Sequence, residues 1–167
     1  RRLLAEAGFT NQNPLRFTFN LAAEFPYERR IGEAMVAQLN KLGPLQVTIQ
    51  VTDFNTWIQR VFTQADYAMT IIGHVEANDI GNYANPRYYW RYNSPRFQQL
   101  FTQYLRAPNQ TKACEALAAA QRLLAEDAAG VWVMSLPALG AYRARVQNWP
   151  DGFLSPGISV AEVWVRP

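Results

Sequence analysis

The sequence is poor in the residues that most often build metal centres and disulfides. Its 167 residues include one cysteine, Cys114, and one histidine, His74. A single cysteine excludes an internal disulfide framework and a thiolate zinc cluster, and a single histidine excludes a multi-histidine site. The sequence therefore predicts no metal site and no cofactor. Cys114 lies in an alanine-rich stretch and is predicted to be a small buried side chain rather than a nucleophile.

Long apolar runs and clusters of like charge are also lacking. Runs such as 131–134 are far shorter than the ~18 residues that a membrane span needs. Only two of the 16 basic residues are lysines, and no block of five or more like charges occurs. The net charge of +3 and the pI near 9.2 therefore favour a solvated, arginine-rich surface over a nucleic-acid partner.

The motifs of the common enzyme mechanisms are absent as well. There is no GxSxG, GxxxxGK[ST], GxGxxG or HExxH pattern. Hydrophobic residues make up 49% of the chain and charged residues 17%, which excludes disorder as the dominant state. The length is enough for about one domain with its own core.

What is present is an alternation of strand-like and helix-like periods. Alternating apolar residues predict strands at 15–19 and 47–51, with a helix from Pro26 to Leu42 between them. Residues 54–62 follow the i, i+3, i+4, i+7, i+8 pattern of an amphipathic helix. The apolar segment 67–73 predicts a central strand covered on both faces. This β-α-β-α-β order predicts an α/β domain with at least partly parallel pairing.

The second half predicts two helices followed by short strands. Ser94 and Asn109 are typical N-caps, and Gly130 is predicted to close the second helix. The predicted strands that follow are 131–136, 138–146 and 160–165.

The loop after the third predicted strand carries the candidate ligand site. Glu76 and Asp79 lie three residues apart beside His74, and aromatic residues follow. Carboxylates with an aromatic wall suit a ligand that has a cationic group on an apolar or planar body. The predicted ligand-binding residues are His74, Glu76, Asp79, Tyr83, Tyr89 and Trp90.

Other interpretations of this loop stay open. The aromatic side chains are equally typical of core packing, and Asp79 is a common turn-capping residue. His74 is more typical of a hydrogen-bonded loop histidine than of a catalytic base. Glu76 and Asp79 also fit the two residue types of a glycosidase pair.

Several segments resemble solute-binding proteins of the dipeptide/oligopeptide (family 5) ABC importers. Residues 30–43, followed by 45–49, resemble the family segment A-x-x-(I/L)-x-x-x-L-x-x-(L/I)-G-x-x-V. Further segments resemble the family in the same chain order: the LLAEAGF helix at 3–9, DFNTW at 53–57, the strand at 66–73, NSPRFQQL at 93–100 and the late segment 128–137.

This resemblance implies a fold and a domain division. The expected fold is the C-terminal α/β lobe of a periplasmic binding protein type II-like structure, a mixed sheet flanked by helices. Residues 1–146 are expected to form the lobe, and residues 147–167 a tail that returns to the N-terminal lobe. The chain opens at Arg1 without an initiator methionine or a signal peptide. The resemblance covers only about the C-terminal third of the family's chains, so this sequence is expected to be an excised lobe with about half of a binding cleft.

The resemblance also implies a function. The expected protein is a non-catalytic, monomeric solute receptor that delivers a peptide or related small molecule to an ABC permease, in the periplasm or on the extracellular face of the membrane. Many peptide binders of the family have Gly-Trp and then an Asp that holds the peptide's α-ammonium. Here the sequence departs from that pattern, because Gly73 is followed by His74. Glu76 and Asp79 are the candidates for the place of that Asp, and the resemblance does not choose between them. The alternatives are a hydrolase using the Glu76/Asp79 loop and a ligand-sensing domain of a regulator.

Overall fold

The structure of the chain is a computed structural model that describes most of its residues in two compact units. The described residues are 1–76, 78–135, 139, 141–150 and 159–166. The first unit comprises Arg1–Gly73 and Arg87–Arg91, and the second comprises His74–Pro86 and Tyr92–Pro167.

A parallel sheet organises the first unit, after a short N-terminal helix α1 (Arg2–Glu6). Strand β1 (Leu15–Ala22) lies between β2 (Leu45–Thr52) and β3 (Met69–Thr70), and both neighbours run parallel to it. The β1–β2 register is continuous over eight residue pairs. The predicted α/β class is therefore confirmed. Among the described residues, antiparallel pairing occurs in a separate pair of strands in the second unit.

The third predicted strand is much shorter than expected. Only Met69 and Thr70 pair with β1, and they form an edge of the described sheet, so the central strand is β1 and not the segment 67–73. The apolar character of residues 67–73 comes instead from packing against two separate clusters. Ile71 packs against the cluster around Phe19, and Ile72 packs against the cluster around Trp57.

Helix α2 (Pro26–Asn40) is the crossover between β1 and β2 and begins at Pro26, as predicted. Its Met35, Val36 and Leu39 side chains pack on Phe19, Leu21 and Val47 of the sheet. Gly32 permits this approach, because a Cβ atom there would lie 2.9 Å from Leu21 Cδ1. The helix therefore rests on the sheet at a distance that a larger residue would increase.

The next helical segment begins as predicted and then widens. Helix α3 (Phe54–Trp57) is capped by Asp53, whose carboxylate accepts the Thr56 N–H at 3.0 Å. From Ile58 to Thr63 the backbone continues as a π-helix instead of the predicted α-helix. Trp57 and Val61 are buried in the resulting core, so the predicted apolar face is retained.

Helices dominate the second unit. A 3₁₀-helix (Asp79–Ala84) precedes α4 (Pro95–Leu105) and α5 (Gln110–Glu126). Both predicted caps are present: Ser94 accepts the Phe97 N–H at 3.3 Å, and Asn109 accepts the Lys112 N–H at 3.0 Å. The buried side chains of this unit include Tyr83, Phe97, Ala120, Leu123 and Leu124.

The C-terminal part departs from the sequence prediction. Helix α5 ends at Glu126, before the predicted Gly130, because Ala128 takes a left-handed conformation with φ of 51°. Residues 131–135 form no strand, and residues 136–138 lie outside the described residues. The observed pair is short: β4 (Val146–Gln147) runs antiparallel to β5 (Trp164–Val165), at the ends of the two remaining predicted strands.

Cys114 is exposed, so the prediction of a buried cysteine is wrong. It lies six residues before Ala120 on α5, which places it about a third of a turn around the helix from that fully buried side chain. Among the described residues, no helix combines the length and apolarity needed to cross a membrane.

The first unit buries one carboxyl group completely. Glu28, in the first turn of α2, has 0% of its surface exposed, and its Oε2 accepts the Ala22 N–H at 3.0 Å. Burial disfavours the charged form and raises the pKa of this carboxyl to about 7, although the Ala22 N–H acts in the opposite direction. The unfolded chain releases this proton near pH 4.5, and the folded chain holds it to about 7.

This difference predicts a loss of stability as the pH rises from about 4.5 to above 7. The folded state binds more protons than the unfolded state in that window, so the free energy of unfolding falls by up to about 3 kcal/mol. Glu28→Gln keeps an acceptor for Ala22 but has no charge, so we expect it to remove this pH slope in urea titrations at pH 4.5, 6 and 8. The exposed Glu33→Gln on the same helix is the matched control and should retain the slope. Equal slopes for wild type and Glu28→Gln would contradict the assignment.

Candidate functional site

Three of the predicted ligand-binding residues come together on one loop of the second unit. His74 Nδ1 lies 3.5 Å from Glu76 Oε2 and 3.3 Å from Asp79 Oδ2. One ligand atom from each of the three side chains falls within 4.8 Å of the other two. We call His74, Glu76 and Asp79 the His–Glu–Asp cluster.

Local backbone structure positions Asp79. Asn78 adopts a left-handed conformation with φ of 60°, and the 3₁₀-helix begins at the next residue. In a 3₁₀-helix, side chains three residues apart are eclipsed, so Asn82 lies beside Asp79. The Asn82 amide Nδ2 donates to Asp79 Oδ1 at 2.6 Å, which directs the other oxygen, Oδ2, toward His74.

Glu76 is held by the backbone on the other side of the cluster. The Val75 N–H donates to Glu76 Oε2 at 3.1 Å, the same oxygen that faces His74. Hydrogen bonding from the backbone N–H groups of Glu76 and Val75, together with the nearby His74, lowers the pKa of the Glu76 carboxyl. The site therefore favours a charged carboxylate at this position.

The two carboxylates differ in their contact with solvent. The side chain of Asp79 is 27% exposed and that of Glu76 is 62% exposed, while His74 is 21% exposed. Water screens a charge on Glu76 more strongly than one on Asp79. Asp79 is therefore the stronger electrostatic anchor for a cation at this loop.

Asp79 and Tyr83 also line a cavity of about 350 Å³. Tyr83 is buried, and its ring centroid lies 6.1 Å from that of Trp132. This volume is at the lower end of the range of small-molecule sites, and it combines apolar walls with few polar groups. The remaining lining residues are Ile80, Gln121 and Leu124.

Tyr89 and Trp90 do not belong to the unit that contains the cluster. Tyr89 is buried in the core of the first unit, with its ring centroid 6.0 Å from that of Trp57. The Trp90 ring lies 4.4 Å from the ring of Tyr88 in the same core. These positions favour the packing interpretation that the sequence left open for the two residues, and their ligand role stays a prediction.

Five residues of the site were not predicted from the sequence: Ile80, Asn82, Gln121, Leu124 and Trp132. Asn82 could have been found from its spacing in the sequence, since it lies three residues after Asp79. Ile80 adjoins Asp79, and Gln121, Leu124 and Trp132 come from distant positions in the chain. Trp132 follows Gly130, where a Cβ atom would lie 3.0 Å from the Tyr83 hydroxyl. A glycine just before an apolar run is thus the one sequence feature that hinted at a close approach here.

A larger cavity of about 930 Å³ lies along α4 and α5 and contains none of the predicted site residues. Two of its charged residues already pair along α5, since Lys112 Nζ contacts Glu115 Oε2 at 2.7 Å. Both side chains of that pair are largely exposed, so the groove resembles a solvated helix surface. We therefore assign the candidate site to the smaller cavity and the His–Glu–Asp cluster.

Known structures share the fold of this chain. The oligopeptide-binding protein OppA of Haemophilus influenzae, solved with the peptide RPPGFSPFR, is 21% identical with a TM-score of 0.67 over 75% of this chain and 26% of its own. A dipeptide-binding protein from Pseudoalteromonas sp. SM9913, solved with Met-Leu, is 22% identical with a TM-score of 0.63 over 77% of this chain and 27% of its own.

A third related structure is NikA from Staphylococcus aureus in complex with Ni(L-His)₂. It is 16% identical with a TM-score of 0.59 over 77% of this chain and 29% of its own. The chain thus spans about a quarter of the length of these structures. A comparison with curated protein sequences found no match.

The family assignment comes from the N-terminal 96 residues, more than half of the chain. Residues 1–96 match the middle region of the bacterial extracellular solute-binding proteins, family 5. This match includes α1 through β3 and the whole loop that carries the His–Glu–Asp cluster. The chain therefore belongs to the family 5 bacterial extracellular solute-binding proteins.

Proposed function

We propose that this chain is part of the solute-binding component of an ABC importer, a receptor without catalytic activity. The membership in family 5 carries the proposal, and the cavity beside the His–Glu–Asp cluster supports it. The partners are then a small-molecule or peptide solute and a membrane permease. The protein would act as a monomer in the periplasm or on the extracellular face of the membrane.

The charge of the site favours a solute with a cationic group. Asp79 lines a cavity whose other walls are largely apolar, and it also belongs to the cluster that brings two carboxylates and one imidazole together. A carboxylate forms a charge-assisted hydrogen bond with an ammonium group, about twice as strong as a neutral one. Peptides with a free amino terminus, such as Met-Leu, carry this group. Asp79 and Glu76 are the residues that would receive it.

The exposed apolar surface after α5 supports the proposal that this chain is part of a longer receptor. Val131, Trp132, Val133 and Met134 are 44–78% exposed, although they are large apolar side chains. A contiguous exposed patch of this kind marks an interaction surface. We propose that residues 1–146 are one lobe of a longer receptor, and that residues 147–167 are a tail that joins its other lobe.

The first test is the affinity of the full-length receptor for a peptide with a free α-amino group. Asp79→Asn removes the charge of the less exposed carboxylate with little change of shape, and we expect about 30-fold weaker binding by calorimetry, or about 2 kcal/mol. Glu76→Gln should have a smaller effect, because that carboxylate is more exposed. Glu126→Gln, on the exposed surface of α5, is the matched control. Wild-type affinity in both Asp79→Asn and Glu76→Gln would show that this loop does not bind the solute.

A second test distinguishes a receptor from a hydrolase. We expect a bound peptide or oligosaccharide to be recovered unchanged after long incubation with the full-length receptor, as mass spectrometry of the solute can show. Turnover that disappears in Glu76→Gln would contradict the proposal and support the hydrolase alternative.

A third test concerns the 167 residues alone. Because they would hold about half of the cleft, we expect the isolated chain to bind the same peptide far more weakly than the full-length receptor, since part of the contact surface is lost. Equal affinity in the two forms would contradict the division into lobes. Circular dichroism of the isolated chain verifies that it is folded.

A further inference from the structure

We propose that the His–Glu–Asp cluster binds a divalent transition-metal ion, with Zn²⁺ as the representative ion. This inference rests on the proposed function and makes it more specific: the loop that would receive a cationic group of the solute also receives a metal ion, either free or held in a chelate. No metal site was predicted from the sequence, because the chain has a single histidine and a single cysteine. The fold instead places the single histidine of the chain beside two carboxylates.

The donor set fits such an ion. Imidazole nitrogen suits Zn²⁺, Ni²⁺, Co²⁺ and Cu²⁺, whereas Mg²⁺ and Ca²⁺ prefer an all-oxygen environment. One nitrogen from His74 and one oxygen from each of Glu76 and Asp79 give a mixed N,O,O set. Three protein ligands with further positions left open are typical of sites where the metal also contacts a solute or water.

The distances fit as well. Zn–N and Zn–O bonds of about 2.0–2.2 Å place neighbouring ligand atoms about 3.3–3.5 Å apart in tetrahedral geometry. His74 Nδ1 lies 3.3 Å from Asp79 Oδ2 and 3.5 Å from Glu76 Oε2. Two of the three distances between ligand atoms therefore have the value expected around a bound metal ion, and the third is no longer than 4.8 Å.

The surroundings orient the ligand atoms independently of the metal. The Asn82 amide binds Asp79 Oδ1 at 2.6 Å and leaves Oδ2 directed at the cluster. The Val75 N–H fixes Glu76 Oε2 at 3.1 Å. Such outer contacts set the direction of metal ligands, and their loss typically lowers metal affinity about 10–100-fold.

The test is a titration of the metal-free, full-length receptor with Zn²⁺ by calorimetry and with Co²⁺ by visible ligand-field absorption. All proteins carry Cys114→Ser, because the exposed thiol is a competing ligand. We expect one ion per chain, a loss of more than about 100-fold in affinity for His74→Ala, and about 10–100-fold for Asn82→Ala. Glu126→Gln should bind as wild type does. Circular dichroism verifies the fold of each variant, and Asp79→Asn is a second ligand variant with a nearly unchanged shape.

Two arms distinguish the sources of the metal. Co²⁺ alone tests the free ion, and Co²⁺ with excess L-histidine tests an amino-acid chelate. A His74-dependent absorption change in either arm supports the proposal. The absence of such a change in both arms, or equal binding by wild type and His74→Ala, would overturn it.

The same receptor separates failure of this inference from failure of the proposed function. Peptide binding measured in the presence of EDTA reports on solute binding without a metal. If peptide binds in EDTA and neither Zn²⁺ nor Co²⁺ binds, the metal inference is wrong and the receptor assignment stands. If the metal binds in a His74-dependent manner and no peptide binds with or without EDTA, the metal inference stands and the assignment of a peptide solute fails.

Discussion

Burial of both faces of β1 is the constraint on which the first unit depends. Phe19 and Leu21 face α2, while Asn20 and Ala22 lie on the other face, and all four are nearly inaccessible to solvent. A strand in this position must have partners for every backbone group. On one side, β2 supplies them over the whole length. On the other side, β3 pairs with only two residues, and side chains must complete the edge.

Two side chains provide hydrogen-bond partners for the backbone of β1 on that side. The Thr70 hydroxyl donates to the Asn20 carbonyl at 2.9 Å and accepts the Trp57 Nε1–H at 2.9 Å, which ties the short strand to β1 and to α3. Beyond the last ladder pair, Glu28 Oε2 accepts the Ala22 N–H. An unpaired buried N–H costs about as much as a lost hydrogen bond, and this cost explains why a carboxyl group is buried beside the Ala22 N–H. Its raised pKa follows from the same burial.

Local patterns predicted the parts of this fold that are determined locally. The caps at Asp53, Ser94 and Asn109, and the β1–α2–β2 order, follow from neighbouring residues and were correct. The short β3 was not predictable, because its apolar run is shared between two separate cores. The site shows the same contrast between local and distant contacts.

The spacing of Glu76 and Asp79 predicted a shared loop, whereas Trp132 reaches the cavity from a distant segment. Aromatic residue type alone did not separate Tyr83, in the site, from Tyr89, in a core.

The 3₁₀-helix at Asp79–Ala84 has a consequence for how this loop can vary between related proteins. A 3₁₀-helix has three residues per turn, so the side chains of Asp79 and Asn82 lie directly above one another along its axis. This geometry keeps the Asn82 amide beside the Asp79 carboxylate. In an α-helix, the same spacing would rotate one side chain about 60° away from the other. One inserted or deleted residue between them would also separate the pair. Glu76 contacts His74 and the Val75 N–H but is not part of that pair. Exchange of Glu76 therefore leaves the geometry of the pair intact, whereas Asp79 and Asn82 must change together.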